Sequence, residues 1–150
     1  ILTGTPNYFS DAFRDVVKDA VARGAVEERG YVDEPTLAQL FQHARALVYP
    51  SKYEGFGLPP LEAMTAGCPV ITTRETSLPE VCGDAAVYCD PRSEEDIAQA
   101  MLQLAGDAAL RARLALAGRG RAHAFSWDAC AIGTALHLDS ALRTLDESGS

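Results

Sequence analysis

The stretch ALVYPSKYEGFGLPPLEAMTAGCPVIT, residues 46–72, decides the fold. Residues 46–50 are a continuous apolar run ending in proline, which suits a strand buried on both faces. Residues 51–58 hold two glycines and a run of polar groups, and read as a loop. From Pro59 to Ala66 the pattern is helical, opened by prolines and stopped by Gly67. Pro69 to Thr72 then reads as a second strand. Strand, helix and strand within so short a span describe a parallel crossover unit.

The same alternation continues outward. Phe13, Val16, Val17, Ala20 and Val21 follow the spacing of an amphipathic helix, with Ser10 or Asp11 as N-cap and Gly24 as its stop. Residues 27–32 read as a strand. Leu37, Leu40, Phe41 and Ala44 predict a second helix, opened by Asp33 and Pro35. Residues 85–89 read as another strand. Ile97, Met101, Leu104 and Ala105 mark a helix capped by Ser93, with Glu94, Glu95 and Asp96 at its positive end. Helices over 108–124 and from Trp127, capped by Ser126, to about Leu145 complete the chain. The fold class is α/β, a Rossmann-like parallel sheet with helices on both faces.

At 150 residues the chain fits one domain, and such a domain buries about 70% of its unfolded surface. A net charge of −8 argues against a nucleic-acid or anionic-membrane surface. No apolar run reaches the length of a membrane span. The chain opens on Ile1 within what reads as a strand, so a fragment of a longer protein is expected. Residues 1–146 are read as the domain, its first strand region cut, and 147–150 as a disordered tail. Cys68, Cys82, Cys89 and Cys130 lack metal-ligand spacing and read as buried reduced thiols.

Ligands of open parallel sheets bind beyond the carboxyl ends of the strands, where residues 51–58 lie. Gly55 and Gly57 allow a close backbone approach, and Gly57→Val is expected to block a ligand more than it harms the fold. The helix start after Gly57 offers free N–H groups to phosphate. Glu62, expected in the first turn of that helix, could accept both hydroxyl hydrogens of a vicinal diol. Glu54 would face the same ligand from another side. Phosphate, diol and polar sugar together describe a nucleotide sugar. The plainer reading is a tight turn whose Glu62 only complements the helix dipole.

The segment PSKYEGFGLPPLEAMTAGCPVITT resembles the E-x7-E signature of retaining glycosyltransferases of the GT-B fold, specifically family 4. The resemblance extends through GYVDEPTLAQLFQHARALVYPS, SLPEVCGDAAVYCDPRSEEDIAQAM and FSWDACA. It implies the C-terminal, donor-binding domain of such an enzyme. Glu62 matches the motif glutamate that holds the ribose hydroxyls, and Glu54 the one beside the transferred sugar, the catalytic position. Backbone amides of Gly55, Phe56, Gly57 and Leu58 would cradle sugar and diphosphate. Gly30, Tyr31 and Val32 fall where the family lines the base pocket, and Ser51 near the ribose.

The resemblance also implies transfer of a hexose, with mannose or glucose favoured, from the nucleotide sugar to a hydroxyl of a glycan or lipid-linked acceptor. The acceptor domain, and an Arg and a Lys that stabilise the departing diphosphate, would lie upstream of Ile1. No cofactor and no metal are expected, because the chain has no D-x-D pair. The setting implied is cytoplasmic, with any peripheral attachment at an inner membrane left to the missing half. Two rival readings stand beside this one. One is a nucleotide-sugar-binding module without transfer activity, and the other is a plain α/β interaction domain.

Among the remaining residues, Lys52 reads as a solvated loop lysine, and His43, His123 and His137 as solvated or core-edge histidines. Arg111, Arg113, Arg119 and Arg121 read as a solvated basic face, with an inter-domain contact as the lesser alternative. Trp127 is expected to staple the last helix to the sheet. Thr76 to Glu80 falls near the donor, with no role assigned.

Overall fold

The computed structural model describes residues 1–4 and 10–148, with side chains described as far as residue 144. In chain order the elements are β1 (Leu2–Thr3), α1 (Asp11–Ala22), β2 (Glu28–Gly30), α2 (Glu34–His43), β3 (Leu47–Val48) and α3 (Leu58–Ala66). They continue with β4 (Val70–Thr72), α4 (Leu78–Cys82), β5 (Ala86–Tyr88), α5 (Glu94–Gly106), α6 (Ala108–Ala122) and α7 (Trp127–Ser148). Among the described residues every strand pair is parallel. Contacts group the chain into two compact units, Ile1–Leu40 and Phe41–Ser150.

In the first unit β1 pairs with β2, Leu2 opposite Glu28 and Thr3 opposite Gly30. Ser10 caps α1, its Oγ accepting from the Phe13 amide at 3.3 Å, and Gly24 ends that helix with φ 70°. The apolar face expected of α1 is largely exposed, and no residue of the helix is buried. A sheet of two short strands has too little surface to cover it.

In the second unit the sheet order is β3-β4-β5. Leu47 and Val48 stand opposite Val70 and Ile71, and Ile71 and Thr72 stand opposite Val87 and Tyr88. The strand buried on both faces is β4, not β3: Val70, Ile71 and Thr72 are fully buried, whereas Leu47 and Val48 are half-buried. Among the described residues β3 lies at the edge of this sheet and pairs with β4 alone. The core gathers Ile71, Cys89, Ala100, Leu104 and Leu114. Cys68, Cys82 and Cys89 are buried free thiols, but Cys130 is exposed on α7. Burial pushes Cys68 and Cys82 up to about 11, so both stay protonated and unreactive.

Of the four arginines of α6, Arg113 is exposed as expected, but the other three meet neighbouring helices. Arg111 Nη1 donates to the Leu104 and Ala105 carbonyls at 2.5 and 3.0 Å, at the end of α5. Arg121 donates to the carbonyls of Glu80 and Val81 in α4. Arg119 lies over Gly67, at the end of α3, where any β-carbon would collide with its guanidinium. Three cations therefore sit at the carbonyl ends of three neighbouring helices, each interaction worth about 0.3–1 kcal/mol. Trp127 does not act as a staple. It is 81% exposed, and α7 runs to Ser148, past the expected end at Leu145 and into the expected tail. Gly149 and Ser150 lie outside the described residues.

α3 packs on α6 through Gly118, whose β-carbon, if present, would lie 3.1 Å from Met64 Cγ. Met64 is itself 1% exposed and has no room to retreat. Gly118→Val should therefore lower stability by about 1–3 kcal/mol through overpacking. Denaturant unfolding of the variant beside wild type measures this.

Candidate functional site

The loop from Tyr49 to Gly57 leaves the edge strand and is tied to β4 at each step. The Tyr49 amide donates to the Ile71 carbonyl at 2.8 Å. Thr72 Oγ1 donates to the Tyr49 carbonyl at 3.1 Å, and Thr73 Oγ1 to the Ser51 carbonyl at 2.7 Å. Both threonines are fully buried, so these bonds also satisfy their hydroxyls.

Glu54 is held at its amide, its carbonyl and one carboxylate oxygen. Its amide donates to Thr76 Oγ1 at 3.0 Å, and its carbonyl accepts from Ser77 Oγ at 3.1 Å. Its carboxylate Oε1 accepts from the Tyr49 phenol at 2.5 Å. Burial first, and then the bond to Glu54, push the Tyr49 phenol well above its ordinary range, so it remains a donor. Ser77 Oγ also bonds the Phe56 carbonyl at 2.8 Å. Thr76 sits at φ 47°, a left-handed conformation unusual for a β-branched residue. The Phe56 ring stands edge-on to Phe125 at 5.8 Å, anchoring the loop tip to the turn after α6.

Gly57 is the N-cap of α3, with φ 107° and ψ 49°. It is buried, and a β-carbon there would lie 3.0 Å from Leu78 Cδ2. Its glycine is required by the scaffold, contrary to the expectation that a side chain would mainly obstruct a ligand. At Gly55 a β-carbon would meet nothing within 4 Å, and the backbone is not left-handed. Gly55 is the glycine that leaves space.

Among the described residues the amides of Gly55, Phe56, Gly57 and Leu58 donate no hydrogen bond. Pro59 and Pro60 have no N–H, so the helix start presents Leu58 alone from its first turn rather than a full set. Leu61 already bonds back to the Gly57 carbonyl at 3.3 Å. The unengaged amides therefore belong to the loop and to one helical residue. Glu62 is not in the first turn of α3, which carries no acid. It is exposed, and no hydrogen bond or ion pair engages its carboxylate among the described residues. A dipole acts mainly within the first turn, so the plainer reading of Glu62 loses ground.

Ser51 is half-buried, and its hydroxyl donates to the Tyr53 carbonyl at 3.2 Å. Lys52 is exposed. Gly30, Tyr31 and Val32 belong to the other unit, where Gly30 closes β2 with φ 60° and Tyr31 is 80% exposed. The sequence reading missed Tyr49 and the hydroxyl cluster of Thr73, Thr76 and Ser77. The local pattern points elsewhere: S-x-x-E at Ser77–Glu80 suggests a capping box. In the structure Ser77 makes no side-chain cap bond and donates to the loop instead.

A parallel α/β fold with a glycine loop between two glutamates at the strand ends is that of the GT-B glycosyltransferases. The chain belongs to the glycosyl transferases group 1 family, which it matches over residues 11–121. It is 40% identical over 134 residues to the O-antigen chain mannosyltransferase B of Escherichia coli, covering 89% of this chain and 35% of that protein. It is 38% identical over 109 residues to the glycogen synthase of Mycobacterium tuberculosis, covering 71% of this chain and 26% of that protein. The solved sucrose-phosphate synthase from Thermosynechococcus elongatus has a similar fold, with a TM-score of 0.77 at 28% identity, covering 95% of this chain and 38% of that one. The chain thus spans about a third or less of the length of these curated relatives. Among the described residues no helix is long and apolar enough to cross a membrane.

Proposed function

We propose that this chain is the donor-binding half of a retaining hexosyltransferase of family 4 that takes a nucleotide sugar, mannose or glucose favoured, and transfers the hexose to a hydroxyl of a glycan or lipid-linked acceptor. The observation that carries this is the run of four unengaged amides, Gly55 to Leu58, between a Glu54 held by its peptide and one carboxylate oxygen and a Glu62 carboxylate with no partner among the described residues. The amides suit the diphosphate, Glu62 suits the ribose diol, and Glu54 faces the sugar. The similarity to a mannosyltransferase and a glycogen synthase supports the hexose.

In this reading the anomeric carbon–oxygen bond to the diphosphate breaks, and positive charge grows on the sugar while negative charge grows on the leaving group. The acceptor oxygen forms the new bond, and its proton leaves with the diphosphate. Amides aimed at the leaving group stabilise its charge without reorganising. No metal is required in this scheme, and a further part of the whole protein supplies the acceptor site. A cytoplasmic setting belongs to the same proposal.

The test is calorimetric titration of the whole protein, wild type and Glu62→Ala, with UDP, GDP and ADP in turn. One nucleotide should bind, and Glu62→Ala should weaken it by about 1.5–3 kcal/mol, the worth of a hydrogen bond to a charged group. Equal affinity in the variant would remove Glu62 from the ribose. Binding of a nucleotide without turnover of any of its sugars would favour the non-catalytic module.

A further inference from the structure

We propose that Tyr49 is the positioning residue for Glu54, setting which carboxylate oxygen faces the donor sugar; this rests on the role given to Glu54 above. Tyr49 follows β3 directly, and its backbone is bonded on both sides to β4, through the Ile71 carbonyl at 2.8 Å and Thr72 Oγ1 at 3.1 Å. Its backbone is therefore fixed to the buried strand at the centre of the sheet. From there its phenol donates to Glu54 Oε1 at 2.5 Å. Among the described residues no hydrogen bond or ion pair engages the second carboxylate oxygen.

The peptide of Glu54 is fixed independently, by Thr76 on its amide and Ser77 on its carbonyl. Those two bonds hold the backbone of Glu54 but leave its side-chain torsions free. A glutamate has three such torsions, and freezing them costs conformational entropy. The phenol selects one arrangement before any ligand arrives. It also marks Oε2 as the oxygen left to meet a developing positive charge on the sugar. Thr76 keeps a left-handed φ of 47° in the same cluster, the kind of local strain that surrounding contacts must hold in place. Tyr49, Thr76 and Ser77 thus determine carboxylate and peptide by separate means, and only Tyr49 acts on the reacting group.

The experiment uses the whole protein as wild type, Tyr49→Phe, Glu54→Ala and the double variant. Each is assayed for turnover of UDP-, GDP- and ADP-linked glucose and mannose, with thermal melting measured alongside. Tyr49→Phe keeps the ring and removes one oxygen. It should lower kcat by about tenfold or more, as misplacing a reacting group does, and leave the donor KM and melting temperature near wild type. In the Glu54→Ala background the same substitution should change nothing, because the tyrosine acts through that carboxylate. An unchanged kcat, an equal loss in the Glu54→Ala background, or a loss of fold with full activity in the folded fraction would each overturn the proposal. A Tyr49→Phe protein that does not fold assigns the bond to the scaffold and overturns it too. Full activity in Glu54→Ala, or no turnover of any donor by wild type, would instead sink the functional reading beneath it.

Discussion

Glu54→Gln should cut transfer by about 10²–10³-fold, the loss seen when one preorganised electrostatic group is removed from an active site. The substitution is close to isosteric, and it leaves the peptide anchors to Thr76 and Ser77 untouched because they involve backbone atoms. Its amide oxygen can still accept from the Tyr49 phenol. Under the proposed function, what disappears is the negative charge beside the sugar, where positive charge develops as the diphosphate leaves. Nucleotide affinity should hardly change, because Glu62 and the Gly55–Leu58 amides remain. Initial rates and a nucleotide titration on the same preparation separate the two effects. Wild-type rates in the glutamine variant would reduce Glu54 to a loop anchor, and a parallel loss of nucleotide affinity would place it on the wrong part of the donor.

Where the sequence predicted structure well, the determinants were local. Ser10 and Ser93 cap α1 and α5 as read, and Gly24 and Gly67 stop their helices in left-handed conformations. Such features involve residues within four positions of one another, so spacing alone reveals them. The crossover from β3 through α3 to β4 followed from a single apolar-polar-apolar pattern. α4 escaped because five residues are too few to show helical periodicity.

Several misses have a different cause. The bonds that tie Glu54 to Thr76 and Ser77 join positions 22 and 23 residues apart, and Arg121 reaches a carbonyl 40 residues away. Nothing in the local pattern distinguishes a lysine or arginine in water from one that terminates a neighbouring helix. Trp127 failed for the reverse reason: a large apolar residue at a helix start has high intrinsic preference for burial, but among the described residues nothing covers it.

The placement of Glu62 changes the balance between the two readings of the motif. Had it stood in the first turn, a favourable dipole interaction of about 0.3–1 kcal/mol would have explained it without a ligand. One turn further on, exposed and unpaired, it has no structural task to lose. The prolines act in the same direction. They begin the helix with a preset φ and remove two donors from its end. In the proposed function the diphosphate is therefore left to the loop amides rather than to the helix end.

Gly57→Val should destabilise the protein by about 2–5 kcal/mol, combining the penalty of a left-handed backbone at a non-glycine residue with that of an overpacked contact. The φ of 107° lies outside what a β-branched residue tolerates, and Leu78, the atom in the way, is fully buried with little freedom to move. Any loss of donor binding in this variant would follow from the disturbed loop and would not report ligand contact. Gly55→Ala provides that report. Its methyl enters open space on an ordinary backbone, so stability should stay within about 0.5 kcal/mol of wild type, while donor affinity falls because the methyl occupies the approach to the loop amides. Chemical unfolding and nucleotide-sugar titration of both variants give four numbers. The expected pattern is low stability at Gly57 with wild-type stability and weak binding at Gly55. If both variants bind donor as wild type does, the glycines serve only the turn, and the amides of this loop do not hold the diphosphate.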